Sequence, residues 1–183
     1  SGQIVTTHGL DRIQILGAHI AAVGATIRTA NGGQILIGGD YQGRSFLPTA
    51  QSTFIDEATS ITANGEAGGQ VVIWSDELTQ FKGIIRAQGD IAGGNVEVSG
   101  KERLLFDGQV DVRSQGSPGT LLLDPENIEI RAGSDPGGTT SGNSQILYES
   151  TLESSIVGNI YLCLQSDNDI SIDPISDGKL TYA

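Results

Sequence analysis

An all-β fold, a solenoid of short parallel strands coiled as a parallel β-helix, is what the sequence predicts, and three observations predict it. Glycine supplies 26 of the 183 residues, about twice the usual share of roughly 7%. One short pattern, glycine then a small or amide polar residue then apolar-x-apolar, occurs four times. The segments that carry it are too short, too glycine-punctuated and too rich in Val, Ile and Thr for helices of about 10 residues or more.

The pattern reads Gly33-Gln34-Ile35-Leu36-Ile37, Gly69-Gln70-Val71-Val72-Ile73, Gly94-Asn95-Val96-Glu97-Val98 and Gly119-Thr120-Leu121-Leu122-Leu123. Its glycines are 36, 25 and 25 residues apart, so the unit is 25 residues and the first interval holds an insertion around Tyr41 to Thr53. A second pattern precedes each copy: Ile27 to Gly32, Ile61 to Gly65, Ile85 to Gly89 and, more loosely, Val112 to Gly116. Each unit therefore holds at least two short strands. Alternating strands of this length cannot bury their apolar face alone, so they must stack. Propeller blades take about 40 to 50 residues, whereas units near 25 suit one rung of a coil. Stacked rungs set like on like, so Ile35, Val71, Val96 and Leu121 are expected to form one internal column. About seven rungs at roughly 4.8 Å predict a rod of some 30 to 35 Å.

The chain reads as a single segment, 1–183, with regular rungs over 1–131, a loop or excursion over 132–155 and further strands over 156–183. Ile13-Gln14-Ile15 and Val23 to Ile27 begin the series, and Asn127 to Arg131 closes its clear part. Ala132 to Ser144 is a Gly/Ser/Thr-rich loop turning at Asp135-Pro136-Gly137-Gly138. Gln145 to Ser155 reads as a helical turn or a lateral excursion. Strands return at Ile160 to Leu164 and Asp169 to Ile172.

A formal charge of −12, from 22 acidic and 10 basic residues, argues against nucleic acid or an anionic membrane surface as partner, since both need a basic patch. The single cysteine, Cys163, leaves no internal disulfide or CxxC site; in the apolar run Ile160 to Leu164 it is expected to be buried as a small hydrophobe. No apolar stretch reaches the roughly 18 to 20 residues of a membrane span, and Ser1 begins no signal peptide. Either the chain is cytosolic, or its targeting segment has been removed or lies outside this fragment.

Four stretches, Ile37-Gly38-Gly39-Asp40-Tyr41-Gln42-Gly43, Val72-Ile73-Trp74-Ser75-Asp76, Val96-Glu97-Val98-Ser99-Gly100-Lys101 and Gly119 through Asp124-Pro125-Glu126-Asn127-Ile128, resemble the large filamentous-haemagglutinin-like exoproteins of Gram-negative bacteria, including cyanobacteria. The similarity runs from about Ile13 to Ile130. It implies a right-handed parallel β-helix, two-partner secretion through a dedicated outer-membrane barrel, and a role in adhesion, aggregation or an extracellular coat at the cell surface. The family's secretion signal and amino-terminal transport domain are not evident, which implies a middle segment. No catalytic residue and no cofactor is carried over.

Parallel β-helices also carry polysaccharide lyases and glycosidases, so the acidic residues need weighing as acid/base or calcium-binding groups. Asp167-Asn168-Asp169 with Asp173 is the best calcium-like cluster, but it lacks the glycine and distal glutamate of the roughly 12-residue loop, and Asp and Asn favour turns in any case. Asp56-Glu57 and Asp76-Glu77 are adjacent pairs; on a strand such neighbours point to opposite faces and cannot act across one bond. His8 and His19, 11 residues apart, have no ligand partners at zinc spacing. Gly116-Ser117-Pro118-Gly119 makes no nucleophile elbow, and the glycine doublets lack the Gly-Lys-Ser/Thr of a phosphate loop. Tyr41 and Trp74 are the candidates for stacking a sugar ring, although a tryptophan filling a rung corner is the commoner arrangement.

A structural and adhesive segment of a secreted exoprotein is the expected function, with self-association of end rungs into fibres as a variant. A carbohydrate-active enzyme or glycan-binding module on the same fold is the alternative. Carboxylates converging in a cleft beside the Tyr41 to Thr53 insertion would favour the enzyme, and a smooth flank the fibre.

Overall fold

The computed structural model describes residues 2–5, 11–134, 145–175 and 178–179. The chain is mostly strand, and every described strand pairing is parallel. The largest sheet holds six strands, side by side in chain order: Arg12–Ile15, Gln34–Ile37, Gln70–Ile73, Asn95–Val98, Thr120–Leu123 and Tyr161–Leu164. A four-strand sheet contains His19–Ala22, Ser52–Ile55, Leu78–Phe81 and Arg103–Phe106, and a five-strand sheet Gln3–Val5, Thr26–Arg28, Ser60–Thr62, Ile84–Arg86 and Gln109–Asp111. From Arg12 to Asp111 the chain visits these three sheets in the same rotation four times. Each unit thus contributes three strands to the main sheets, and Gly65–Ala67 and Gly89–Ala92 add a short fourth pairing at one corner.

Register follows the sequence repeat. Ile13, Ile35, Val71, Val96, Leu121 and Leu162 are paired one to the next across the six-strand sheet. Ile27, Ile61, Ile85 and Val110 do the same in the five-strand sheet, and Ala22, Ile55, Phe81 and Phe106 in the four-strand sheet. All three columns point into one core, where Phe81 and Phe106 stack with ring centroids 5.7 Å apart. Removing each fully buried Ile, Val, Leu or Phe of these columns from water stabilises the fold by about 1.5 to 3 kcal/mol.

The glycine that opens each repeat has a steric cause. A Cβ on Gly69 would lie 2.1 Å from the Gly33 carbonyl oxygen, one on Gly94 2.3 Å from that of Gly69, and one on Gly119 2.5 Å from that of Gly94. Those same oxygens accept from Gln70, Asn95 and Thr120 N–H at 3.0, 3.0 and 2.9 Å. Any side chain would force the carbonyl off its donor.

The insertion that lengthens the first interval ends at 51, because Ser52 and Thr53 already belong to the four-strand sheet. The six strands of the largest sheet span about 24 Å at the usual spacing, shorter than the length expected from seven rungs.

Beyond Leu123 the rotation changes. Ile128–Arg131 is the middle strand of a separate sheet, between Gln145–Tyr148 and Ile170–Ile172. Residues 145–155, expected as a helical turn or a lateral excursion, begin instead with a strand that also packs on Arg103–Phe106 and only then form the helix Glu149–Ser155. Leu147, Leu152 and Ile156 enter the common core, and Ile156 bridges to Val110 of the five-strand sheet. The turn at Asp135 to Gly138, most of the loop around it and His8 lie outside the described residues. Among the described residues no helix is long and apolar enough to cross a membrane.

Cys163 corrects the expectation of burial. Leu162 and Leu164 face the core, so the residue between them points outward, beside Leu122 in register, and is exposed. Its thiol is therefore expected to react with a maleimide in the folded protein, close to one equivalent, with no denaturant added. A thiol silent until the chain is unfolded would contradict this register.

Candidate functional site

The outer face of the six-strand sheet has two columns of side chains. Gln34, Gln70, Asn95, Thr120 and Tyr161 form one; Leu36, Val72, Glu97, Leu122 and Cys163 form the other. An outward column should meet water, yet Leu36 and Val72 are fully buried and Leu122 nearly so. The insertion, residues 38–51, folds back over them. Its short helical turn Tyr41–Gly43 starts where the Asp40 carboxylate accepts from Tyr41 N–H at 2.7 Å. Leu47 packs on Leu36, Val72 and Trp74. The Trp74 ring lies against Gly39 and Gly43, where any Cβ would come within 2.9 and 2.7 Å of it. Trp74 Nε1–H and Thr49 Oγ1–H both donate to the Asp76 carboxylate, at 3.3 and 2.6 Å.

Gln42 fastens the insertion to the sheet. Its backbone, at φ +54°, lies in the left-handed region. Its N–H is shared between the two Glu97 carboxylate oxygens at 3.1 and 3.0 Å. Its side-chain amide donates to Asp124 Oδ2 at 3.2 Å, and the Gln165 amide reaches the same oxygen at 3.1 Å. Glu97 is only 1% exposed. Burial pushes its carboxyl up; the Gln42 N–H opposes this, the nearby Asp124 and Asp40 charges add to it, and the group titrates at about 7. Asp124 is raised as well, chiefly by burial, with the Gln42 amide working against it. Tyr41 is raised by burial and then by the Glu97, Cys163 and Asp124 charges, with the Arg44 guanidinium working against them.

Next to this fastening lies a cleft of about 250 Å³, lined by Tyr41 of the insertion and, from the outer face of the sheet, by Gln70, Asn95 and Thr120 with Val72, Glu97 and Leu122 in the adjoining column. It offers one aromatic face, a row of neutral hydrogen-bonding groups and one largely covered acid.

Of the residues singled out by sequence, Tyr41 reaches this cleft and remains 47% exposed. Trp74 is 6% exposed and closed over by the insertion, so its ring cannot stack a ligand. Asp167 and Asp169 are exposed around the bend after Tyr161–Leu164, where Asn168 N–H donates to Glu126 O at 3.0 Å, and Asp173, also exposed, lies past the strand Ile170–Ile172. Among the described residues no three His, Cys, Asp or Glu side chains converge as a metal set. Asp56-Glu57 and Asp76-Glu77 lie in turns, not on strands, so strand alternation is not what separates them. Asp56 instead accepts from Thr59 Oγ1–H at 2.6 Å and Gly24 N–H at 3.0 Å, bonds that hold its carboxyl below the usual range. His19 Nδ1 is 2.9 Å from Ser52 Oγ on an exposed face.

Gln42, Glu97 and Asp124 are the site residues that sequence reasoning missed. Glu97 had a signal: it is the one acid in a column that otherwise reads Leu36, Val72, Leu122. No protein-family model matches the chain, and no curated protein matches its sequence.

Proposed function

We propose that the chain is a stretch of right-handed parallel β-helix from a secreted, filamentous-haemagglutinin-like exoprotein, where it serves as a structural and adhesive rod. The observation that carries this reading is the fourfold rotation of the chain through three parallel sheets with like residues in register. Right-handedness follows from the general rule for parallel strands joined by a crossover, obeyed in about 98% of cases. Exposed Ile4, Val5 and Val23 toward one end of the stack and Ile170 and Ile172 toward the other suit the addition of further rungs, from the same chain or a neighbouring copy. Export through an outer-membrane barrel and display at the cell surface rest on the family resemblance.

The enzyme reading has one observation in its favour. Glu97 and Asp124 converge on Gln42 beside the insertion, and a carboxyl titrating at about 7 suits a general acid. A general acid must also touch its substrate, and Glu97 is covered by the Gln42 N–H that holds the insertion down. We therefore read the pair as a fastening and the chain as non-catalytic.

Antibody raised against this chain provides the test. Protease shaving of intact source cells, or analysis of their medium, is expected to remove or recover the antigen. Antigen found only in the cytosolic fraction overturns the proposal.

A further inference from the structure

We infer that the cleft beside Tyr41 binds a neutral saccharide chain laid across successive strands of the six-strand sheet. The first support is the polar wall. Gln70, Asn95 and Thr120 stand in register on adjacent strands, so their amide and hydroxyl groups repeat at about 4.8 Å and offer both donors and acceptors. The neighbouring amide ladder at the corner is spent on itself, the Asn64 amide donating to Gln88 Oε1 at 3.2 Å and its Oδ1 accepting from the Gln88 backbone N–H at 2.9 Å. Gln70 Oε1 is likewise taken by the Gln34 amide, which leaves Gln70 only its N–H groups to offer. Among the described residues the Asn95 amide and the Thr120 hydroxyl are not so committed. They are free to exchange water for sugar hydroxyls.

The second support is aromatic. Tyr41, 47% exposed, lines the same cleft from the insertion, and Tyr161, 63% exposed, continues the polar column one strand beyond Thr120. A pyranose presents C–H groups on its faces and hydroxyls at its rim, so a ring lying against the exposed Tyr41 would set its rim toward Asn95 and Thr120, with Val72 and Leu122 out of its reach beneath the insertion. A cleft of about 250 Å³ lies below the roughly 300 to 1,000 Å³ of sites for drug-sized ligands. One ring fills it, and the rest of the chain runs along the sheet.

Charge selects the class of saccharide. The protein carries −12 overall, and around the fastening three carboxyls, Glu97, Asp124 and Asp40, stand against one guanidinium, Arg44, that bears on Tyr41 and Asp124. Uronate or sulfate groups would meet repulsion there. The inference is independent of the proposed exoprotein role, because it uses only this face of the stack.

Calorimetric titration of the chain with maltohexaose, cellohexaose, xylohexaose, mannohexaose and chitohexaose, beside oligogalacturonate and a sulfated heparin fragment, tests it. At least one neutral oligosaccharide is expected to bind, with neither charged probe matching it. Tyr41→Ala should weaken that binding roughly tenfold, about the size of one lost aromatic contact, without lowering the melting temperature. Tyr41→Phe, which keeps the ring, should retain it. The inference is overturned if no neutral probe binds, if a charged probe binds as well as the best neutral one, or if Tyr41→Ala leaves the affinity unchanged.

Discussion

Gly94→Ala is expected to destabilise the protein by about 3 kcal/mol or more, a large effect for one added methyl group. The new Cβ would lie 2.3 Å from Gly69 O, 2.7 Å from the Ala87 Cβ and 2.8 Å from Ala87 O. Two of those contacts are backbone, and both oxygens are in use: Gly69 O accepts from Asn95 N–H at 3.0 Å, and Ala87 O from Gly94 N–H at 2.8 Å. Relief therefore requires opening the sheet between Gln70–Ile73 and Asn95–Val98 and disturbing the core column beneath. Gly17→Ala is the control, because its Cβ would meet nothing nearer than 3.9 Å; it should change stability by no more than about 0.5 kcal/mol. Urea unfolding of both variants reads the difference. Equal, small effects would mean that the repeat glycines are not set by close approach between strands.

Glu97→Gln is expected to stabilise the protein at pH 8 and to change little near pH 4.5. The wild-type carboxyl is raised from 4.5 to about 7 in the fold, so between those values the native state holds a proton that the unfolded chain has released. Its contribution to stability is fully present below about 4.5 and lost as pH rises through about 7, a swing on the order of 3 kcal/mol. Glutamine keeps an oxygen to accept from the Gln42 N–H and removes the buried charge. Asp124, also raised, acts in the same direction, whereas the lowered Asp56 and Asp111 act in the opposite one, losing stability as pH falls. These groups are common to both proteins, so the difference between the two stability curves isolates Glu97. A constant difference across the pH range would show that Glu97 titrates normally.

The parts of the fold that were legible in sequence are those where geometry leaves the residue no choice. Gly33, Gly69, Gly94 and Gly119 recur because a neighbouring carbonyl occupies the Cβ position, and Ile35, Val71, Val96 and Leu121 recur because stacked strands share one core. The four-strand sheet was harder to read. Leu78–Phe81 buries Thr79 along with Phe81, since the Thr79 hydroxyl turns back to the Ser99 carbonyl oxygen at 2.6 Å. That blurs the alternation. Gln145–Tyr148 was not legible as a strand because Ile146, Leu147 and Tyr148 are all buried, so no apolar/polar alternation marks it.

The candidate site was half legible. Tyr41 stood out as an aromatic in an insertion, but nothing local indicates that the insertion folds back onto the outer column of the sheet. That fold-back buries Trp74 and turns Glu97 from a surface residue into a covered acid. Reading down the column would have flagged Glu97, since a carboxylate among Leu36, Val72 and Leu122 needs a partner. Cys163 shows the converse error: an apolar neighbourhood in sequence says little about burial when alternate residues face opposite ways.

Parallel, in-register stacking of the repeats is tested most directly by methyl NOE spectroscopy on protein with labelled Ile, Val and Leu methyls. Parallel register predicts contacts from Val71 to Val96 and from Ile73 to Val98, continuing from Val96 to Leu121 and from Val98 to Leu123. Antiparallel pairing of the same segments would instead join Val71 to Val98 and Ile73 to Val96, and that pattern would contradict the stacked-rung fold.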